Sequence, residues 1–303
     1  DQRAVREGLT VNDLCDQFLK KYAKREKKAS SANQDRLNLA RDVRNTIGNS
    51  LVSEITRSDL QEILNRIADR DAKVQAQRTR STMRKMFKWA EEEELIKENP
   101  ALTIRAPKVH SKKTRTLSPE EIASFWHTID NSKLLPKAIG IILKIILLTG
   151  VRPGEAIKIY KNFTGSDWML LNSDETKNHD PHRVYLSKIA RDLFNDLEND
   201  FTLSSDPKYV IENYTISAWI RSLNYFGLEK IWTPHDLRRT CSTKLAELKT
   251  KPHIIKKILN HRDKDITSDI YIMYGYDDEI IHALELLGKK IEEIISVHSS
   301  CSD

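Results

Sequence analysis

The stretch from Trp232 to Tyr276, WTPHDLRRTCSTKLAELKTKPHIIKKILNHRDKDITSDIYIMYGY, constrains this chain more than any other. Thr233-Pro234 reads as a helix entry, with proline at the first helical turn. His235 and Arg238 are three residues apart and so share a face of that helix. Leu245, Ala246, Leu248, Ile254, Ile255, Ile258 and Leu259 recur at helical intervals, and the pattern breaks at Asn260-His261. Tyr271 follows ten residues after His261. Upstream, an apolar helix over Ile139 to Leu148 ends at Thr149-Gly150, and Arg152 stands at the turn before Pro153-Gly154-Glu155. Taken singly, each piece has an ordinary reading: a helix cap followed by a solvated arginine, a structural histidine, a core tyrosine with a satisfied hydroxyl. Two helix ends that each deliver cationic side chains to a turn are harder to explain that way.

Length and charge narrow the class. A chain of 303 residues has room for two domains with separate cores. No run of 18 apolar residues occurs, and DQRAVREGLT lacks the pattern of a signal peptide. Cys15, Cys241 and Cys301 lie far apart and match no metal spacing, which points to a reducing compartment, hence the cytoplasm. Residues 1–115 hold 26 Lys+Arg against 17 Asp+Glu, and the remainder 24 against 27. General attraction to a polyanion therefore belongs to the first part, and any grip by the second must come from locally placed cations.

The strings TGVRPGE and HDLRRT, the box LNH (usually LGH) and the tyrosine after it stand in the order found in the tyrosine recombinases. The chain resembles that phage-integrase family over about residues 8–290, most specifically over 147–276, and in detail the integrases of prophages and genomic islands. The resemblance implies a mainly α fold with a small antiparallel β-sheet in the second domain, arranged as a two-domain DNA clamp. The expected division is a helical core-binding domain over 1–104, a basic linker over 105–116 (RAPKVHSKKTRT), and a catalytic domain over 117–303. Integrases of this kind often carry a further N-terminal domain for arm-type DNA sites, and none is visible ahead of these helices.

In the first part, Thr10 reads as a helix cap with Asp13 in the first turn, and Leu14, Phe18, Leu19 and Tyr22 as an apolar stripe. A second helix is expected over about 31–46, breaking near Gly48-Asn49. A third is expected with Thr56 or Ser58 as its cap and Leu60, Ile63, Leu64 and Ile67 inward. A fourth, about 73–94, should turn Val74, Met83, Phe87, Ala90 and Leu95 to the core and stop at Asn99-Pro100. Its other positions, Gln75, Gln77, Arg78, Arg80, Ser81, Arg84 and Lys85, mix small polar groups with cations, which suits phosphate contact and base-edge reading as well as a solvated face. Lys112, Lys113 and Arg115 of the linker join the candidate DNA contacts. Ser118-Pro119 restarts helix.

Trp168 to Leu171 and Arg183 to Leu186 read as short strands of a small sheet, with a strand beginning near Thr176-Lys177 as its middle member. A lysine on such a hairpin is catalytic in the family; the match is Lys177, with Lys158, Lys161 and Lys188 as competitors. The reaction implied is attack of a tyrosine hydroxyl on a DNA phosphodiester, giving a 3′-phosphotyrosine and a free 5′-hydroxyl. A phenol is mostly protonated at neutral pH, and the phosphorane-like state gains negative charge that must be offset. Arg152 and Arg238 would bind the non-bridging oxygens, His261 would donate to them, His235 would take the tyrosine proton, and Lys177 would protonate the leaving oxygen. Glu155 would orient the cations or form a structural ion pair. Tyr271 fits the family's spacing for the nucleophile better than Tyr274. No metal and no other cofactor is required, because side-chain cations do the work of Mg²⁺. Expected partners are double-stranded DNA bearing attachment or crossover sites, further copies in a tetramer on DNA, and accessory DNA-bending or directionality proteins. A type IB topoisomerase and a catalytically silent DNA-binding regulator are the competing readings. The apolar tail after Asp278 could pack at home or on a neighbouring protomer.

Overall fold

The computed structural model describes residues 8–108, 114–176, 180–195, 211–261 and 275–299. The chain divides into two compact units, Asp1–Lys112 and Lys113–Asp303.

In the first unit, α1 runs through Val11–Gln17, a wider-wound π-helical stretch Phe18–Ala23 and a last turn Lys24–Glu26. Thr10 and Asp13 form a reciprocal capping box at its start. Helix α2 is built likewise from Ala29–Asn38, Leu39–Arg44 and Asn45–Ile47. Helix α3, Arg57–Asp69, is capped by Thr56 rather than Ser58, through Asp59. Helix α4 spans Lys73–Glu92. Its bounds match the expected 73–94, and the stop comes not from Asn99-Pro100 but from Glu94, which turns left-handed at φ 54°, with Leu95 N–H closing onto Ala90 O at 2.8 Å. Leu14, Phe18, Leu60, Ile63, Leu64, Ile67, Met83, Phe87 and Ala90 enclose the core as their spacing requires.

Val74 is a correction: it is 49 % exposed. The phase of α4 instead turns Gln75, Thr79 and Thr82 toward α2, where they meet Asp35, Asn38 and Asp42 in a buried polar seam. These groups are satisfied by one another, which is what makes their burial tolerable.

The second unit packs α5 (Pro119–Asn131), α6 (Lys137–Thr149), α7 (Pro153–Asn162), a short α8 (Lys188–Asp192), α9 (Asn213–Ser222), α10 (Pro234–Glu247), α11 (Pro252–Ile258) and α12 (Asp277–Ser299) around one core. Ser118 caps α5 with Glu121 and Pro119 opens it. Helix α6 is buried along nearly its whole length, and α7 and α10 pack on it.

Strands β1 (Trp168–Leu171) and β2 (His182–Tyr185) pair antiparallel, Trp168 opposite Tyr185 and Leu171 opposite His182. Among the described residues these are the only two strands of a sheet; the expected third, middle strand is not there as far as Thr176, because residues 173–176 form a turn. In that turn Thr176 Oγ1 donates to Asp180 O at 2.8 Å. Helix α12 lays Ile280, Ala283, Leu284, Leu287, Ile291 and Ile294 against its own unit, on α5 and α10.

Candidate active site

The site begins at the end of α6. Gly150 closes that helix in the left-handed region at φ 67°, where a side chain is strained. A Cβ there would also lie 2.7 Å from a Leu259 methyl and 3.0 Å from the Cys241 sulfur. The carbonyl of Gly150 accepts from Arg238 Nη1 at 2.6 Å.

Two residues on, Arg152 is the extended residue that enters α7, followed by Pro153. Glu155, 2 % exposed, holds it twice: Arg152 N–H donates to Oε2 at 2.9 Å and Nη1 to Oε1 at 2.8 Å. The two expected roles of Glu155 coincide, since the pair both caps the helix and aims the guanidinium.

Arg238 lies on α10, behind the capping box of Thr233 and Asp236. It is 3 % exposed. Its Nη2 donates to Leu259 O at 2.7 Å and to His261 Nε2 at 2.8 Å. Arg152 Nη2 donates to Asn260 O at 3.2 Å. The carbonyls of the α11 cap, Leu259, and of the next residue, Asn260, thus face the two guanidiniums, as suits the negative end of a helix dipole. Burial, with Arg152 nearby, pushes the Arg238 guanidinium down to about 10, so it is still a cation at neutral pH.

His261 follows that helix end. Because a guanidinium can only donate, its Nε2 accepts here and the ring proton sits on Nδ1. The expected donor to phosphate is therefore an acceptor in this arrangement. Donation from Nε2 needs the other tautomer once an anion engages Arg238. His235 projects from the first turn of α10 with its ring exposed. Partial desolvation lowers the affinity of both imidazoles for a proton. The field of Arg239 and Arg238 adds to the effect at His235, and that of Arg238 and Arg152 at His261. Both effects favour the neutral imidazoles.

Four of the expected groups form two directly bonded pairs, Arg152 with Glu155 and Arg238 with His261, and the pairs meet at the adjacent carbonyls of Asn260 and Leu259; His235 stands on the same helix as Arg238. Lys177, Tyr271 and Tyr274 lie outside the described residues. Of the competing lysines, Lys158 donates to Glu175 O at 3.2 Å and Lys188 pairs with Asp192 at 2.6 Å. One residue received no role from its sequence: His182 of β2, buried and 3.1 Å through Nε2 from Ile258 O. No local signal marks it, because its partner lies 76 residues away.

In the first unit, the candidate DNA contacts separate. Arg78, Arg84 and Lys85 are exposed on α4, with Lys85 Nζ 5.2 Å over the Tyr22 ring. Gln77 Nε2 donates to Pro107 O at 3.0 Å and Ser81 Oγ to Gln77 O at 3.0 Å. Gln75 belongs to the buried seam, and Arg80 Nε is spent on Ile104 O at 2.8 Å. The two ends of the expected linker are held down. Gln61 pairs with the backbone of Arg105 in the first unit, and Arg115 bonds Glu121 and Lys230 O in the second. Lys112 and Lys113 lie outside the described residues. Lys28 and Ser31, at the end of the basic run over 20–28 whose sequence suits either a loop beside DNA or a solvated end, border with Gln34 the same shallow groove as Val74, Gln77 and Arg78.

The phage integrase family model matches residues 115–276, and the phage integrase central domain model matches residues 11–107. The prophage integrase IntZ of Escherichia coli (strain K12) is 27 % identical over 252 residues, covering 78 % of this chain and 60 % of that protein. Tyrosine recombinase XerD of Lacticaseibacillus casei is 27 % identical over 229 residues, covering 70 % of this chain and 76 % of the relative. The chain thus spans about three fifths of the prophage integrase it matches. Among solved structures, a lambda integrase dimer bound to a COC′ core site superposes with a TM-score of 0.71 at 17 % identity, covering 88 % of this chain and 79 % of that one. The Tn1549 transposon integrase (aa 82–397) in complex with circular intermediate DNA gives 0.60 at 18 %, covering 89 % and 97 %. With two family models covering most of its length and the paired guanidiniums held as described, the chain belongs to the phage integrase family of tyrosine recombinases.

Proposed function

We propose that this protein is a site-specific DNA recombinase of a mobile element, cutting and rejoining strands through a 3′-phosphotyrosine. The observation that carries the reading is the pairing of Arg152 and Arg238 on one helix end, with His261 bonded to Arg238. Two fixed forked cations fit the two non-bridging oxygens of one phosphodiester. His261, whose Nε2 already faces Arg238, would take its share of the same oxygens.

In the reaction, the hydroxyl oxygen of Tyr271 forms a bond to phosphorus while the bond to the 5′-oxygen breaks. The tyrosine proton passes to the neutral His235, and Lys177 gives a proton to the departing oxygen. Charge in the five-coordinate state is borne by the guanidiniums, whose positions are set beforehand by Glu155, Gly150 O and the carbonyls of α11. The bond energy is conserved in the ester, so religation needs no nucleotide. Arg78, Arg84 and Lys85, with Gln77 and Ser81 beside them, would grip the duplex. That solved relatives include a lambda integrase tetramer bound to a Holliday junction supports assembly of several copies on DNA.

The test is a nicked duplex core, selected by binding from a randomised library, incubated with wild type, Tyr271→Phe and Tyr274→Phe and run under denaturing conditions. A protein–DNA adduct lost only in Tyr271→Phe is expected. Loss only in Tyr274→Phe would move the nucleophile. No adduct from wild type on a duplex that it binds would leave a DNA-binding regulator. Relaxation of plasmids that lack the selected core would favour a topoisomerase.

A further inference from the structure

The end of α11 presents three successive carbonyls to three side chains from elsewhere in the unit. Ile258 O meets His182, Leu259 O meets Arg238, and Asn260 O meets Arg152. Two of the three partners are the guanidiniums of the proposed centre. The third has no part in the chemistry above.

His182 is 4 % exposed and stands on β2 opposite Leu171. A carbonyl can only accept, so Nε2, at 3.1 Å from Ile258 O, carries the proton and Nδ1 is bare. Nδ1 is buried without a hydrogen-bond partner. Its charged neighbour is Glu155 Oε2 at 3.9 Å, the oxygen that accepts from Arg152 N–H. Two lone-pair atoms face each other there, beyond bonding distance. With the ring neutral, both oxygens of Glu155 serve Arg152. A protonated ring would draw Glu155 toward itself and weaken that hold.

We propose that His182, as its neutral Nε2–H tautomer, is a positioning residue for strand cleavage. It clamps Ile258 O, so that the next two carbonyls and His261 meet the guanidiniums, and it leaves Glu155 to Arg152. The proposal rests on the recombinase reading above. A histidine that merely fills the core would be replaceable by an apolar side chain of similar size. A positioning histidine needs its N–H, which glutamine can supply and leucine cannot.

The experiment uses the full chain and the same nicked duplex, measuring single-turnover adduct formation and duplex affinity for wild type, His182→Leu and His182→Gln. Expected are a rate about 10–100-fold lower in the leucine variant, comparable to losses seen when supporting shells of a site are removed, and a rate close to wild type in the glutamine variant. Affinity is expected to be unchanged in both. A leucine variant that cleaves at the wild-type rate overturns the proposal. Should that variant fail to fold, nitrogen-15 spectra of wild type decide: a protonated Nε2 and bare Nδ1 at pH 7 are expected, and a proton on Nδ1 overturns it. Wild type that binds the duplex but forms no adduct sinks the recombinase reading and this proposal with it. An active wild type with an equally active leucine variant sinks the proposal alone.

Discussion

Arg238 shows how much a single side chain is asked to do. It is buried, beside another guanidinium, and held by two carbonyls and an imidazole. A lysine cannot reproduce that fork. Arg238→Lys is expected to cut cleavage by roughly 10²–10³, the loss typical of one preorganised donor, with duplex binding largely kept. The neutral histidines add a pH signature. Because the proton affinities of His235 and His261 are both lowered, the acid limb of the cleavage rate should fall below the ordinary imidazole value of 6.5, as a rate profile would show. Stability should respond too. Burial pushes His182 down to about 4, outweighing the opposite pull of Glu155. Between 6.5 and 4 the unfolded chain binds a proton that the folded one refuses, so stability is full above that window and declines as pH falls through it. The loss is on the order of a few kcal/mol, and urea unfolding of His182→Gln should show a shallower decline. Arg152, Arg238 and His235 stand out in the sequence because they belong to short strings at helix ends. His182 does not, because its meaning lies in a carbonyl far along the chain.

At the scale of elements, helix ends build the site. Helix α6 ends in a left-handed glycine, α7 opens on Arg152, α10 opens on a capping box, and α11 offers its last carbonyls. Gly150→Ala is expected to destabilise the second unit by about 1–3 kcal/mol from backbone strain alone, with the crowding by Leu259 and Cys241 added. Thr233→Ala removes a cap that also steadies Asp236; it should cost about 1 kcal/mol in denaturant unfolding and slow cleavage by disturbing the first turn of α10. Caps at Thr10, Thr56 and Ser118 were readable because a hydroxyl and an acid three residues later make a local signal. Val74 and Gln75 were not. On α4 the polar side chains Gln75, Thr79 and Thr82 find partners on α2 and go inward, which leaves the valine outside. The middle place expected for a strand beginning near Thr176-Lys177 is closed because β1 and β2 pair directly, a register set by packing rather than by the short polar run; Thr176 lies in a turn and Lys177 outside the described residues.

For the whole molecule, charge is divided unequally: the first 115 residues carry the excess of Lys and Arg, whereas the rest is slightly acidic. Affinity for DNA should therefore fall steeply with salt. Arg84→Ala is expected to weaken binding alike on all duplexes and to reduce the slope of log affinity against log salt by about 1, which titrations at several salt concentrations would measure. Helix α12 buries its apolar stripe on its own unit. It therefore contributes to the core there, and truncation from residue 279 should destabilise the second unit, as a fall in its melting temperature would register.

By itself the sequence determined the helical class, the room for two units, the helix caps, and the strings that place Arg152 and Arg238 at helix ends. The two units follow from chain length; the rest depends on spacing within a turn or two or on motifs a few residues long, where local sterics and hydrogen bonding decide. Only the tertiary structure decided which of those cations share a helix end, that His261 accepts from Arg238 here, that Gln75 and Arg80 are spent inside their own unit, and that His182 stands behind the site. Each of these depends on where a backbone carbonyl or a buried acid lies after packing, and no local pattern encodes that position.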